Sequence, residues 1–431
     1  MTEVTRTPMA KGPTPANRGR SGPHAGPDRR QGTGKETPPA QTRLVRLRRA
    51  LHQVPETGLH LPRTQALVLR ALSGLGLRVT TGRRLSSVTA VLEGARPGPT
   101  VLLRADMDAL PIAEPGAPPG SAAGAGAHAC GHDLHTTMLV GAAHELIRRR
   151  NEVHGSVVLM FQPGEEAGAG ARLMIEEGVL KAVGKPPVAA YALHVASAAL
   201  PRGVLASRPG TLMASADTIR VTVHGRGGHG STPYSALDPV PAVCEAVLAL
   251  QSMVTRRFDV FDPVILTVGS IHAGQVGNVI PSTAIFEATA RSFTPNARRR
   301  MREEVLRTID GVVEAHGLKS DVQWEEGYPA TMTDPAETAF AASVARALFG
   351  QDRFRDLPRP LSSSEDFSFI AERVPAAYLL LGACPEERDP DTAPYNHSPE
   401  ATFDDSVLVD GAALLAELAI GRLAGSPSAA V

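Results

Sequence analysis

The chain has 431 residues, 42% of them hydrophobic, which is enough to bury a sizeable core and long enough for two or three domains. Its 44 basic and 44 acidic residues cancel, which excludes a global field for recruiting nucleic acid or an anionic membrane and points to a small-molecule substrate. Three cysteines (Cys130, Cys244 and Cys384) make no disulfide framework, and no stretch reaches the ~18 apolar residues of a membrane span, so the cytoplasm is the expected compartment.

Residues 1–40 are rich in Pro, Gly and Arg with almost no large apolar side chains, which predicts a disordered tail. Helical spacing begins with Leu44, Leu47 and Leu51 and returns over Thr64 to Leu77, where Gly74 and Gly76 end it. Short apolar runs at Val88 to Leu92 and Thr100 to Leu103 read as strands. A helix at His135 to Arg150, a strand at Ser156 to Phe161, a helix from Gly170 to Leu180 and a strand at Val188 to Leu193 follow. Strands alternating with helices predict an α/β layer with a largely parallel sheet, where ligands gather beyond the carboxyl ends of strands. Between about Ser207 and Glu326 the order becomes βαββαβ, the ferredoxin-like split unit. From Asp334 a helix, a strand at Ala376 to Leu381 and a closing helix near Ser406 to Leu423 resume the first pattern. The expected layout is a tail at 1–40, a catalytic domain made of 41–206 and 327–431, and an inserted domain at 207–326.

Chemistry-bearing residues stand where these strands end. Asp106 and Asp108 in LLRADMDALP follow a buried strand, although taken alone they read equally as turn and helix-start acids. In HACGHDLHTT, Cys130, His132, Asp133 and His135 crowd a helix entrance with the thiolate and imidazole donors that Zn²⁺ or a similar ion takes. A structural role for each is the competing reading: Cys130 as a small buried side chain, His128 and His135 as helix-end hydrogen-bonders. No papain-like or caspase-like signature surrounds the cysteine. Glu165 and Glu166 in FQPGEEAGAGA stand before a helix start, fitted either to bind metal and hold a proton or simply to meet the helix dipole. His194 and His397 repeat the strand-end placement, and several such sites on one sheet converge in space.

Taken together, RADMDALP, HACGHDLHT, QPGEEAGAGA, ALHV, GRGGHGSTP, GNVIP, SSSEDF and NHSPEATF resemble the M20 metallopeptidases, in their amidohydrolase branch of hippurate hydrolases, N-acyl-amino-acid amidohydrolases and auxin-conjugate hydrolases. The resemblance runs from about Leu44 to about Leu418. It implies a two-metal site with Cys130, His132, Glu166, His194 and His397 as ligands, Glu165 as general acid/base and Asp108 orienting a ligand. It also implies that His229 polarises the scissile carbonyl, reaching a partner subunit's site in a homodimer formed through the inserted domain, and that Asn278 and Arg291 hold the substrate. Turn and surface roles for Asn278 and Arg291 stay open. Thiolate with imidazole favours zinc, while manganese, cobalt and nickel also suit carboxylate and imidazole.

The implied reaction is hydrolysis of N-acyl amino acids. A dipeptidase or carboxypeptidase with the same machinery is the nearest alternative, and a non-catalytic ligand-binding scaffold the more distant one. A structural zinc protein is excluded by spacing, because the candidate ligands spread from 130 to 397. One departure stands out: the family's usual QPAEE reads QPGEE here, and Gly164 is expected to loosen the loop slightly.

Overall fold

The hydrophobic runs of the first half alternate between two sides of one sheet. In the computed structural model, which describes residues 39–116, 126–166 and 168–425, that sheet has eight strands. They are β1 (Arg78–Thr81), β2 (Val88–Glu93), β3 (Arg96–Asp106), β4 (His154–Gln162), β5 (Ala189–Ala196), β6 (Leu205–Ser207), β15 (Phe354–Asp356) and β16 (Ala376–Gly382), in the order β1-β2-β4-β3-β5-β16-β6-β15. Its central pairings, β4–β3, β3–β5 and β5–β16, are parallel. Antiparallel neighbours flank them, β1–β2 and β2–β4 on one side and β16–β6 on the other.

Both faces of these strands are buried, so they read as continuous apolar runs. Val101 and Leu103 of β3 point into one core and Leu102 into the other. The first core lies under α1 (Pro39–His52), α2 (Pro62–Leu72), α3 (His132–Arg148) and α9 (Leu408–Leu423), with α9 packed along α3. The opposite face carries α4 (Gly170–Glu176) and α8 (Ser368–Ala371).

A second sheet has the order β10-β12-β8-β13, formed by β8 (Ala216–His224), β10 (Val264–Ala273), β12 (Thr283–Ser292) and β13 (Lys319–Tyr328). Every pairing in it is antiparallel. Strict alternation in β8 sends Ile219, Val221 and Val223 inward against α5 (Pro239–Arg257) and α6 (Pro295–Ala315), while Thr218 and Arg220 face outward. Asp238 and Thr294 cap these helices by accepting from the backbone N–H groups of Val240 and Ala297, each with a proline at the first turn, a pairing worth about 1 kcal/mol per cap. The sequence β8-α5-β10-β12-α6-β13 is the split βαβ order expected.

Two short pieces lie where the chain passes between the sheets: β7 (Gly210–Met213) pairs with β14 (Thr331–Thr333). A separate two-stranded antiparallel pair is formed by β9 (Gly228–His229) and β11 (Val279–Ile280). Helix α7 (Pro335–Phe349) then leads back to the first sheet.

Some boundaries differ from expectation. Pro39 and Ala40 already belong to α1, and the rest of the expected tail lies outside the described residues. The second helix stops at Leu72 instead of Leu77, because Ser73 turns to extended backbone and Gly74 and Gly76 take left-handed φ values of 78° and 68°. Strand β13 runs to Tyr328, two residues past the expected end of the inserted segment. Strands β1, β6, β7, β14 and β15 escape the sequence reading because three or four residues carry too little periodicity. No described helix is long and apolar enough to cross a membrane.

Candidate metal centre

Strands β3, β4, β5 and β16 all end on the same side of the first sheet, and the loops leaving them bring the candidate residues together. Ligand atoms of Cys130, His132 and His194 lie within 4.8 Å of one another, as do those of Cys130, Glu166 and His397, and those of His132, Glu165 and Glu166. Cys130 therefore belongs to two of these groups and His132 to two. All five expected ligands, together with Glu165, form one cluster although they span 130 to 397 in sequence.

The loop before α3 owes its shape to Gly131, which sits between two of these residues. Its φ is 82°, and a Cβ there would come 2.3 Å from a methyl of Val195. Gly164 plays a similar part in the glutamate loop: φ is 74° and a Cβ would meet Leu59 Cδ2 at 2.5 Å. A methyl at this position would sit in a left-handed turn and would press on the flexible end of Leu59, so the glycine relieves strain in the loop.

Hydrogen bonds fix which nitrogen of each histidine faces the cluster. Nδ1 of His132 donates to the Asp108 carbonyl at 2.8 Å and Nδ1 of His194 to the Val195 carbonyl at 2.8 Å, so both Nε2 atoms point inward. Nε2 of His194 is 3.4 Å from Cys130 Sγ, and Nε2 of His397 is 3.2 Å from Glu166 Oε1. The carboxylate of Asp108 accepts from the backbone N–H groups of Glu165 at 3.0 Å and Glu166 at 3.1 Å. With its carbonyl on His132, Asp108 therefore holds the glutamate loop and the helix entrance at once.

His135, crowded into the same motif, is not a free donor. Its Nδ1 donates to Asp106 at 2.6 Å and its Nε2 accepts from the Val195 N–H at 2.7 Å, so the hydrogen-bonding reading is the one realised. Asp106 turns its other oxygen to Arg104 at 2.7 Å. His128 is buried outside the cluster.

Beneath the cluster lies a charged layer that sequence reasoning passed over. Arg104, 2% exposed, donates to Gln162 at 2.9 Å, Asp106 at 2.7 Å, Glu365 at 2.8 Å and Asp366 at 2.9 Å. Asp366 also accepts from Gln162 and from the Ala171 N–H, and Glu365 from the Tyr378 hydroxyl at 2.5 Å. An arginine inside the apolar run VLLRAD, and adjacent acids in SSSEDF, were the available signals. A charge in a buried strand requires partners.

This surplus of negative groups governs protonation. Burial, with Glu365, Glu166 and Asp366 nearby, holds the Glu165 carboxyl well above the ordinary range. Burial opposes the charged form of His132, yet Asp106 and Cys130 outweigh it and hold its pKa well above normal. Hydrogen bonds to Cys130 and Glu166 push His397 up to about 10. Burial and the neighbouring His135 keep His194 well below its usual value, and so neutral with a lone pair to offer. The anionic surroundings that raise His132 and His397, and a buried His132 Nε2 with no hydrogen-bond partner, fit a divalent cation. The set of thiolate, imidazole and carboxylate is the donor chemistry such an ion takes.

A cavity of about 420 Å³ opens over the cluster, lined by Cys130, Glu165, Glu166, His194 and His397 and walled by Met213, Leu361 and Leu380. Arg291, on β12 of the second sheet, reaches this cavity, and its Nη1 donates to the Ser362 carbonyl at 2.9 Å. His229 and Asn278 do not line it. Both are exposed and adjoin each other at one end of the β9–β11 pair, where the Gly230 N–H donates to the Asn278 carbonyl at 2.8 Å.

Comparison with known proteins establishes the family. The profile described as peptidase family M20/M25/M40 matches residues 102–420. A thermostable carboxypeptidase of Saccharolobus solfataricus is 34% identical over 382 residues, covering 88% of this chain and 94% of the relative. The N-acetyl-L-cysteine deacetylase of Bacillus subtilis is 33% identical over 387 residues, 88% of each chain. Among solved structures, a dinuclear metal-binding peptidase of the M20 family from Bacillus subtilis superposes with a TM-score of 0.76 at 30% identity, covering 89% of this chain and 99% of that one. The chain belongs to peptidase family M20/M25/M40, whose members are metal-dependent hydrolases of amide and peptide bonds.

Proposed function

We propose that the protein is a two-metal amidohydrolase that cleaves N-acyl amino acids to a carboxylic acid and an amino acid. The observation that carries this reading is the pair of donor groups sharing Cys130, with Glu165 beside them under a cavity of small-ligand size. Cys130, His132, Glu166, His194 and His397 would hold the ions, with zinc favoured by the thiolate and imidazole, and manganese, cobalt and nickel as alternatives. Bound there, the metals supply Lewis-acid polarisation of the amide carbonyl and make water a nucleophile near neutral pH.

Glu165 takes the proton of the attacking water. The proton rests on the carboxyl until the leaving nitrogen needs it. Delivery to that nitrogen completes the cleavage, since an unprotonated amide anion is a very poor leaving group. Asp108 keeps Glu165 and Glu166 in register through their backbone N–H groups. Arg291 has donors beyond the one given to Ser362, and a guanidinium fork suits the carboxylate of the amino-acid half.

His229 and Asn278 would act from a second copy of the chain, His229 on the scissile carbonyl and Asn278 on the substrate. The segment 207–326 serves in this reading as a lid and dimerisation domain. Support comes from the edge strand β10, where Ile265 and Ile271 are exposed, and from Leu248 on α5, which is 72% exposed. A sizing column run on the purified chain tests the homodimer. Three free cysteines support a reducing compartment, and the cytoplasm is the one we propose.

Release of free amino acid from a panel of benzoyl-, acetyl-, fatty-acyl- and indoleacetyl-amino acids tests the activity, with metal-stripped and metal-restored protein in parallel. Turnover that disappears on stripping and returns with metal is the expected result. Carboxypeptidase action is the second reading, favoured by the Saccharolobus relative. Cleavage of dipeptides or C-terminally extended peptides with no action on the N-acyl panel would establish it instead.

A further inference from the structure

Three of the proposed ligands sit on chain segments far apart in sequence. Cys130 is in the loop before α3, His194 is near the end of β5, and His397 is in the loop following β16. The carboxamide of Asn396 touches all three segments. Its Oδ1 accepts from the Ser197 N–H at 2.9 Å, and the Ser197 hydroxyl lies 3.0 Å from the same oxygen. Its Nδ2 is 2.9 Å from the Val195 carbonyl, 3.3 Å from the Cys130 carbonyl and 3.9 Å from Cys130 Sγ.

The partners leave no ambiguity about which way the amide faces. A backbone N–H can only donate and a carbonyl can only accept, so the oxygen must meet Ser197 and the nitrogen must meet Val195 and Cys130. One hydrogen of the NH₂ goes to Val195, and the other lies between the carbonyl and the sulfur of Cys130.

The next residue adds a reason for the clamp. His397 has a φ of 74°, in the left-handed region that residues with a side chain rarely take, while its N–H donates to the Ala129 carbonyl at 2.9 Å. Backbone of this kind persists only where surrounding contacts over-determine it. Asn396, immediately before it, supplies such contacts.

We infer that Asn396 is a positioning residue of the metal centre: its carboxamide ties together the segments bearing Cys130, His194 and His397 and donates toward the Cys130 sulfur. This rests on the two-metal reading above. A donor aimed at a metal-bound thiolate withdraws charge from it and fixes its direction, as outer hydrogen bonds do at other metal sites.

The test uses the full chain stripped of metal and titrated with cobalt(II) against a chromophoric chelator, recording the thiolate-to-cobalt absorption. Two variants are compared with the wild type. Asn396→Ala removes every contact. Asn396→Asp keeps the size and the acceptor for Ser197 but sets an oxygen against the Val195 and Cys130 carbonyls and the sulfur. Both are expected to bind cobalt about 10–100-fold more weakly, with Asp the weaker, and to shift the thiolate absorption band. Unchanged affinity and an unchanged band in both variants would overturn the role. So would failure of both to fold without metal, since the amide would then be holding the fold and not the ligands. A wild-type chain that binds no cobalt at all would defeat the two-metal reading itself, which separates the two ideas.

Discussion

Glu165 and Arg104 carry opposite lessons about buried charge. Glu165 lies in a cavity where burial and three neighbouring carboxylates disfavour its anion, the setting that a proton carrier requires. Replacing it by Gln removes the proton transfer and leaves the five ligand candidates untouched. The Glu165→Gln protein is expected to retain metal by elemental analysis while kcat falls by about 10²–10⁴-fold. Arg104 has the reverse task, since its single positive charge holds Asp106, Glu365 and Asp366 together below the cavity. Arg104→Met leaves those three carboxylates facing one another in the interior. The expected cost is about 3–5 kcal/mol in urea unfolding, the range for breaking a buried ion pair by removing one partner. A variant as stable as wild type would mean that the carboxylates find protons or other partners at little cost.

The elements meet through charge as well as through apolar packing. His52, in the last turn of α1, places Nδ1 2.7 Å from Asp133 in the first turn of α3, with Glu114 at 3.2 Å from Nε2 and Arg48 beside it. The cation lies at a helix C-terminus and the anion at a helix N-terminus, which suits both dipoles. The hydrogen bond to Asp133 raises the His52 pKa above 6.5, against the opposing effect of burial. Because the folded value exceeds the unfolded one, the contribution to stability is complete below pH 6.5 and fades as pH climbs through the raised value. Urea melts of wild type and His52→Gln, taken below 6.5 and well above it, should show the variant's deficit shrinking at the higher pH. A deficit that is the same at both would assign His52 a packing role only.

At the scale of the whole molecule, the donor cluster gathers segments separated by up to 267 positions, from Cys130 to His397, so metal binding should stabilise the fold and not merely the site. Stripping with a chelator is expected to lower the melting temperature, and restoring metal at ~100 times its Kd should return about 2.7 kcal/mol. An identical melt with and without metal would show that the loops are held by the protein alone. Much of this molecule was legible in the residues themselves. Apolar runs of four to six residues alternating with helical spacing are a local record of burial, so the layered α/β sheet and the βαββαβ order could be read directly. Cys130, His132, Glu165, Glu166, His194 and His397 were conspicuous as thiol, imidazole and carboxylate groups at strand ends, together with Asp106, Asp133 and His135, and the resemblance to the M20 metallopeptidases singled them out. Three kinds of fact were not local. Short strands such as β7 and β14 exist only because each supplies the other's hydrogen bonds, and neither carries a pattern of its own. His135 resembles its neighbour His132 in sequence, and only the placement of Asp106 and Val195 saturates both of its nitrogens and removes it from the donor set. Asn396, an ordinary polar residue in a loop, takes its three-way role from partners at positions 130, 195 and 197. Residue types and their spacing determined which chemistry the chain carries and on which elements. The convergence of distant segments decided which nitrogen, which oxygen and which loop serve it, because hydrogen bonds depend on distance and direction in space and leave no trace in the order of residues.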